Sequence, residues 1–241
     1  MSDNTDKKCS SAEALLAAAC KLFSEKGYEA VSTRELADCA GVNLAAIQYH
    51  YGSKAKLFVE AVRSLMKSSD CQSSQDLLTD AEGEEQAAVK LCVYVQAVLE
   101  DIVNRQGPQP CRLMFREILG GCSGDAEMYE ALVSSVVEEF VRPLDNLLLD
   151  ILDRLAPKMA REQKEWSAQS IFGQISFYLT HRPFYERLRG RDLADPNTLA
   201  AIARHVARFS LRGLGVEEKL INTALAAAFA GKASRKVKNA A

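Results

Sequence analysis

Between Leu36 and His50 the sequence sets Ala37, Gly41 and Ile47 at intervals of four and six residues, with Val42 beside the glycine. Two short helices packed steeply through a tight turn need three things: a small residue where they touch, a turn residue that tolerates left-handed geometry, and an apolar anchor on the inner face of the second helix. Ala37, Gly41 and Ile47 meet these needs in that order, which is helix-turn-helix spacing. It turns Asn43, Leu44, Ala45, Gln48 and Tyr49 outward, with His50 at the end. Amides, small apolar groups and an aromatic hydroxyl suit the edges of base pairs in a major groove, and the Gln48 amide matches adenine bidentately. Thr33 and Arg34, at the start of the first of these helices, are expected over the phosphate backbone. Lys54 opens the following helix, where free amide groups and the helix dipole already favour an anion. Read as ordinary surface, Arg34 and Lys54 are solvated charges. Tyr49 and Tyr51 equally suit a core, and Tyr51 is read as part of one.

These residues need helices to hold them, and nearly the whole chain reads as helix. From Ser11 to Lys26, Ala14, Leu15, Ala18, Ala19, Leu22 and Phe23 recur on one helical face, and Gly27 stops the run. Tyr28 and Val31 then pack a short connector into the core. Ser32-Thr33-Arg34-Glu35 has the form of a capping box and opens a helix to Ala40. Asn43 is an N-cap for Leu44 to Tyr51, and Gly52-Ser53 recap the chain before Lys54 to Met66. The polar run from Lys67 to Glu85 marks the end of this part. Beyond it lie amphipathic stretches at Gln86–Arg105, Cys111–Gly120, Ala126–Leu155, Arg161–His181, Asn197–Leu214 and Glu217–Ala230, and then a basic tail, 231–241, expected to be disordered.

The 241 residues carry 30 Lys+Arg against 32 Asp+Glu, so affinity for nucleic acid must come from local placement of charge and not from a basic coat. No apolar run is long enough to span a bilayer and the N-terminus lacks the apolar region of a signal peptide, so no membrane partner is expected and the location read is cytoplasmic. Seven cysteines without a CxxC pair read as reduced thiols. His50, His181 and His205 are scattered, so no metal is assigned and no cofactor is expected. No Gly-rich phosphate loop, nucleophile elbow or paired-carboxylate site can be placed, and Gly120-Gly121-Cys122-Ser123-Gly124 lies between helices; the chain does not read as an enzyme.

The run LFSEKGYEAVSTRELADCAGVNLAAIQYHYGSKAKLF, Phe23 to Phe58 with its preceding leucine, resembles the DNA-binding domain of the TetR family of transcriptional regulators. It has that family's Gly-Val turn, an aromatic-rich recognition helix and the following Ser-Lys. The resemblance implies DNA roles for Thr33, Asn43, Leu44, Ala45, Tyr49, His50 and Lys54. Many members have Phe where Tyr51 stands, and the residue at Gln48 varies, so no operator sequence carries over. Further along, CRLMFREILGG, VRPLDNLLLDIL and SIFGQISFYLTHRPFYERL resemble the C-terminal domain of the CecR-like subgroup.

The resemblance implies an all-α chain with a three-helix helix-turn-helix domain over 1–52, a connecting helix over 53–70, and a larger helical-bundle domain over 71–230 for ligand binding and dimerisation. It implies a homodimer that reads a palindromic operator, its two recognition helices about 34 Å apart. Helices carrying Ile171, Ile175, Leu179, Ile202, Val206 and Phe209 have more apolar surface than a monomer needs and are the expected interface. Met114, Phe115, Phe140, Trp166, Gln174 and Tyr178 are the expected lining of a small-molecule effector site, with ordinary core as the alternative. The function expected is that of a repressor released from its operator by an effector; activation is equally compatible with the sequence.

Overall fold

Ser10 and Glu13 cap each other at the start of α1 (Ser11–Lys26): the Glu13 N–H donates to Ser10 Oγ at 3.3 Å, and the Ser10 N–H to the Glu13 carboxylate at 2.9 Å. After the connector come α2 (Thr33–Ala40), α3 (Ala45–Tyr51) and α4 (Lys54–Ser68). The expected capping box at Ser32 forms by half. Ser32 Oγ accepts from the Glu35 N–H at 3.1 Å, but the Glu35 carboxylate turns to Lys26 and ties α2 to the end of α1. The computed structural model describes residues 10–68, 83–104, 113, 117 and 125–238, which form eleven α-helices and one π-helical turn.

The described residues divide into two bodies, one drawn from 1–69 and 108–140, the other from 70–107 and 141–241. In the first, α1 packs against α2, α3 and α4. Its core holds Leu15, Phe23, Leu36, Ile47, Leu57, Phe58 and Ala61, together with Met128, Leu132 and Val136 from α6 (Ala126–Val136), the helix that follows α5 (Glu84–Asn104) in the chain. This corrects the division at residues 52 and 70: α4 is a wall of the N-terminal core rather than a connector, because Leu57, Phe58, Ala61 and Val62 face α1 and are fully or almost fully buried.

The second body is built on α5 (Glu84–Asn104), which packs against α7 (Arg142–Leu155), α8 (Arg161–Thr180), α10 (Pro196–Gly213) and α11 (Glu218–Lys238). Leu91, Tyr94, Val95 and Leu99 of α5 meet Leu148, Leu152, Ile171, Ile175, Ala203 and Val206 there. The single helix expected over Ala126–Leu155 is interrupted. Val137–Val141 forms a π turn before α7, where Pro143 lacks the N–H that a continuous ladder would use. A helix absent from the sequence reading, α9 (Arg182–Arg189), starts with Pro183 in its first turn and ends at Gly190. The backbone of α11 continues through Gly231 to Lys238, where a disordered tail was expected; the alanine-rich stretch before it is strongly helix-forming and carries one glycine through. The helix expected over Cys111–Gly120 lies outside the described residues except for Leu113 and Glu117.

Candidate nucleic-acid interface

The turn between α2 and α3 rests on Gly41. Its φ of 66° is left-handed, and its N–H closes onto the carbonyls of Ala37 and Asp38 while the Val42 N–H returns to Ala37 at 3.0 Å. Ala37 is buried against the neighbouring helix and Ile47 anchors α3 in the core. With Ile47 fixed inward, the opposite surface of α3 and its entry turn faces solvent: Leu44 is 51% exposed and Tyr49 84%, with Asn43, Ala45, Gln48 and His50 also exposed. Tyr49 is therefore a surface residue. Tyr51 is half-buried, and its hydroxyl donates to the Ala12 carbonyl at 2.7 Å, as expected of a core-edge aromatic.

Two of the outward polar groups are already engaged. Asn43 Oδ1 accepts from the Ala45 N–H at 2.9 Å, fixing the entry to α3. His50 Nε2 lies 2.7 Å from Ser11 Oγ, which holds the ring toward α1. Thr33 and Arg34 stand exposed at the start of α2.

Lys54 lies elsewhere than free in solvent. Its Nζ sits 4.1 Å from the centre of the Tyr28 ring, and that ring stacks in turn against Phe23 and meets Phe58 edge-on. Burial pushes the Lys54 ammonium pKa down, against the opposing effect of Glu29, Asp125 and Glu117. The Tyr28 hydroxyl donates to Asp125 Oδ2 at 2.6 Å, and Asp125 caps α6 through the Met128 N–H at 2.9 Å. Tyr28, Lys54 and Asp125 thus form one constellation linking the start of α4 to the start of α6. Its members are too far apart in sequence for helical spacing to reveal. The Tyr28 hydrogen bond, and secondly the Met128 N–H, hold the Asp125 pKa below the usual carboxylate range.

A carboxylate with a depressed folded-state pKa adds stability above its unfolded pKa and loses it as pH falls through the folded value. Tyr28→Phe is accordingly expected to lower the urea midpoint at neutral pH, with the difference from the parent protein narrowing below about pH 4. A difference that stays constant on acidification would show that this bond does not set the Asp125 pKa.

In the second body, four of the expected interface residues are interior to the protomer. Ile171, Ile175, Ile202 and Val206 are buried in its own core, because α5 covers the faces of α8 and α10 that carry them. The Leu179 side chain lies outside the described residues. Of the expected interface residues Phe209 is exposed, at 60%, and with it stand Trp166 at 55% and Phe177 at 44%, which were not in the expected set.

Between α8 and α10 runs a groove of about 350 Å³, lined by Trp166, Gln174 and Phe209 with Met159, Gln163 and Gly213 among its other walls. Its serine hydroxyls are spent on their own helices: Ser167 donates to Gln163 O, Ser170 to Trp166 O and Ser210 to Val206 O, each at 2.8 Å. Trp166 and Gln174 therefore share a groove, while Tyr178 packs edge-on against Tyr185 at 5.4 Å and Phe140 packs against the core of the first body. Met114 and Phe115 lie outside the described residues. Among the described residues no helix is long and apolar enough to cross a membrane.

Residues 15–61 match the family model for bacterial regulatory proteins of the tetR family, and residues 87–214 match that for the C-terminal domain of the HTH-type transcriptional dual regulator CecR. Over 209 residues the chain is 23% identical to the HTH-type transcriptional regulator RutR of Escherichia coli strain K12, covering 84% of this chain and 89% of that one. Over 58 residues it is 38% identical to the HTH-type transcriptional repressor AcnR of Corynebacterium efficiens, covering 24% of this chain and 31% of the repressor. The transcriptional regulator FadR of Bacillus subtilis, solved in complex with stearoyl-CoA, matches with a TM-score of 0.55 at 17% identity, over 83% of this chain and 97% of FadR. FadR of Bacillus halodurans gives a TM-score of 0.55 at 19% identity, over 88% and 100%. With both structures the likeness is one of fold.

Proposed function

This chain belongs to the TetR family of bacterial regulatory proteins and carries a C-terminal domain of the CecR type, and from that premise we propose that it is a repressor which leaves a palindromic operator when its C-terminal domain binds a small molecule. It is a DNA-binding transcriptional regulator and not an enzyme. The observation that carries the finer reading is the exposed surface of α3, where Leu44, Ala45, Gln48 and Tyr49 project opposite the buried Ile47. Thr33 and Arg34 on α2 flank that surface and act as phosphate contacts, and Lys54 adds positive charge at the start of α4.

The palindrome follows from a two-fold dimer, and we assign the contact to the outward face of α8 and α10. Trp166, Phe177 and Phe209 give that face its apolar surface, and three serines of its groove turn their O–H groups back onto their own helices. A second copy suits it better than an effector does. Release then requires the effector to favour a conformation in which the two recognition helices no longer match successive major grooves. The CecR domain model describes a dual regulator, which makes activation at some sites a second reading.

Selection of bound duplexes from a random pool by the full-length protein, at about 0.15 M salt where nonspecific contacts are weakened, tests the proposal. Recovery of an inverted repeat is expected, and a library of small metabolites is expected to contain a compound that raises the melting temperature and releases that duplex. Recovery of unrelated sequences would overturn operator recognition. Release by no compound in a broad library would overturn the effector arm.

A further inference from the structure

The groups that α3 and its entry turn present to solvent are chemically one-sided. Leu44 and Ala45 offer hydrocarbon, Tyr49 a ring and a hydroxyl, and Gln48 an amide with no hydrogen-bond partner among the described residues. No Arg or Lys stands anywhere on α3, and no Asp or Glu does either. Guanine is read best by a guanidinium or ammonium on O6 and N7, and cytosine by a carboxylate accepting from N4. Adenine is matched by a glutamine amide on N6 and N7, and thymine by apolar contact with its C5 methyl. Nearby, Asn43 Oδ1 accepts from the Ala45 N–H and His50 Nε2 is held by Ser11, and neither residue adds a guanidinium or ammonium to the surface.

Resting on the operator reading above, we infer that α3 is an A·T reader, whose half-site places an adenine under Gln48 and thymine methyls against Leu44 and Ala45. Leu44 and Gln48 lie one helical turn apart on the same stripe, a rise of about 6 Å, on the order of two base-pair steps. Ala45 and Tyr49 form the neighbouring stripe with the same spacing. A leucine half exposed on a surface otherwise built of polar and small groups gains from a methyl partner, and in the major groove only thymine carries one. Arg34, exposed at the start of α2, lies outside the positions that α3 reads.

Duplex selection with the full-length parent protein, Gln48→Ala and Leu44→Ala separates these positions. Both substituted side chains are exposed, so the variants retain the fold, which a thermal melt verifies. In the parent motif, the positions whose preference relaxes in either variant are expected to be A·T pairs, with discrimination at the Gln48 position falling on the order of 10- to 100-fold. Replacing the matching thymidine by deoxyuridine, which lacks only the C5 methyl, is expected to weaken binding by the parent protein and to leave Leu44→Ala unaffected. G·C pairs at the positions that relax would overturn the inference while leaving a sequence-specific regulator in place, as would a motif that neither variant alters. A parent protein that recovers no motif would overturn the operator reading itself.

Discussion

Replacing Phe209 by glutamate is expected to turn the protein into a monomer at micromolar concentration and to lower its affinity for a full operator by about 100-fold or more. Phe209 projects from α10 with 60% of its surface exposed, beside Trp166 and above the floor that Ile171 gives the groove. Two-fold pairing buries two copies of every residue on the face, so one glutamate brings two carboxylates into an apolar contact, while Arg208 and Arg212 nearby are already engaged by Glu218. The side chain is not part of the protomer core, whose α10 members are Leu199, Ile202, Ala203, Val206, Ala207 and Leu211, so the folded monomer is expected to melt near the parent temperature. The loss in DNA affinity arises because linked half-sites raise each other's effective concentration, an advantage that a monomer lacks. Sedimentation velocity checks the mass and a titration on the inverted repeat checks the affinity. A dimer that survives Phe209→Glu would place the contact on another face.

The largest effect on stability is expected from Phe58→Ala. Phe58 is fully buried, and its ring meets Phe23 edge-on at 5.0 Å and Tyr28 at 5.1 Å, so the three rings weld α1, the connector and α4 together. Removal leaves a cavity walled by rings that cannot all shift, because Tyr28 is also held by Asp125 and by its own N–H to Glu117. A loss of about 3–5 kcal/mol is expected by urea titration, large enough to unfold a marginal domain. Since α3 takes its position from α1 and α4, operator binding should fail together with the fold and not before it. Near-parental stability in Phe58→Ala would mean that the ring cluster relaxes and does not brace the reading head.

What the sequence reveals about this head is what local spacing can encode. Ala37, Gly41 and Ile47 each act within one turn of their neighbours, so their roles follow from spacing alone and α3 emerges within one residue of where it was expected. The Tyr28–Lys54–Asp125 constellation is assembled by packing between distant segments, and no local pattern announces it. In α8 the difficulty is different. Ile171 and Ile175 point inward, but Trp166, Phe172 and Phe177 point outward, so large apolar side chains lie on opposite sides of the helix and periodicity cannot say which side faces its own core. The break at the π turn and the separate helix α9 both turn on prolines, Pro143 and Pro183, which are as compatible with a helix's first turn as with its end.

Sequence reading by α3 separates from mere charge attraction when affinities are compared at matched salt. The affinity of the full-length protein is measured for its selected inverted repeat and for a scrambled duplex of the same composition, from about 0.05 to 0.3 M salt. A ratio on the order of 1,000 or more is predicted, with both affinities falling as salt rises while the preference persists. Equal affinities for the two duplexes at every salt concentration would contradict it, leaving a surface that senses only phosphate charge.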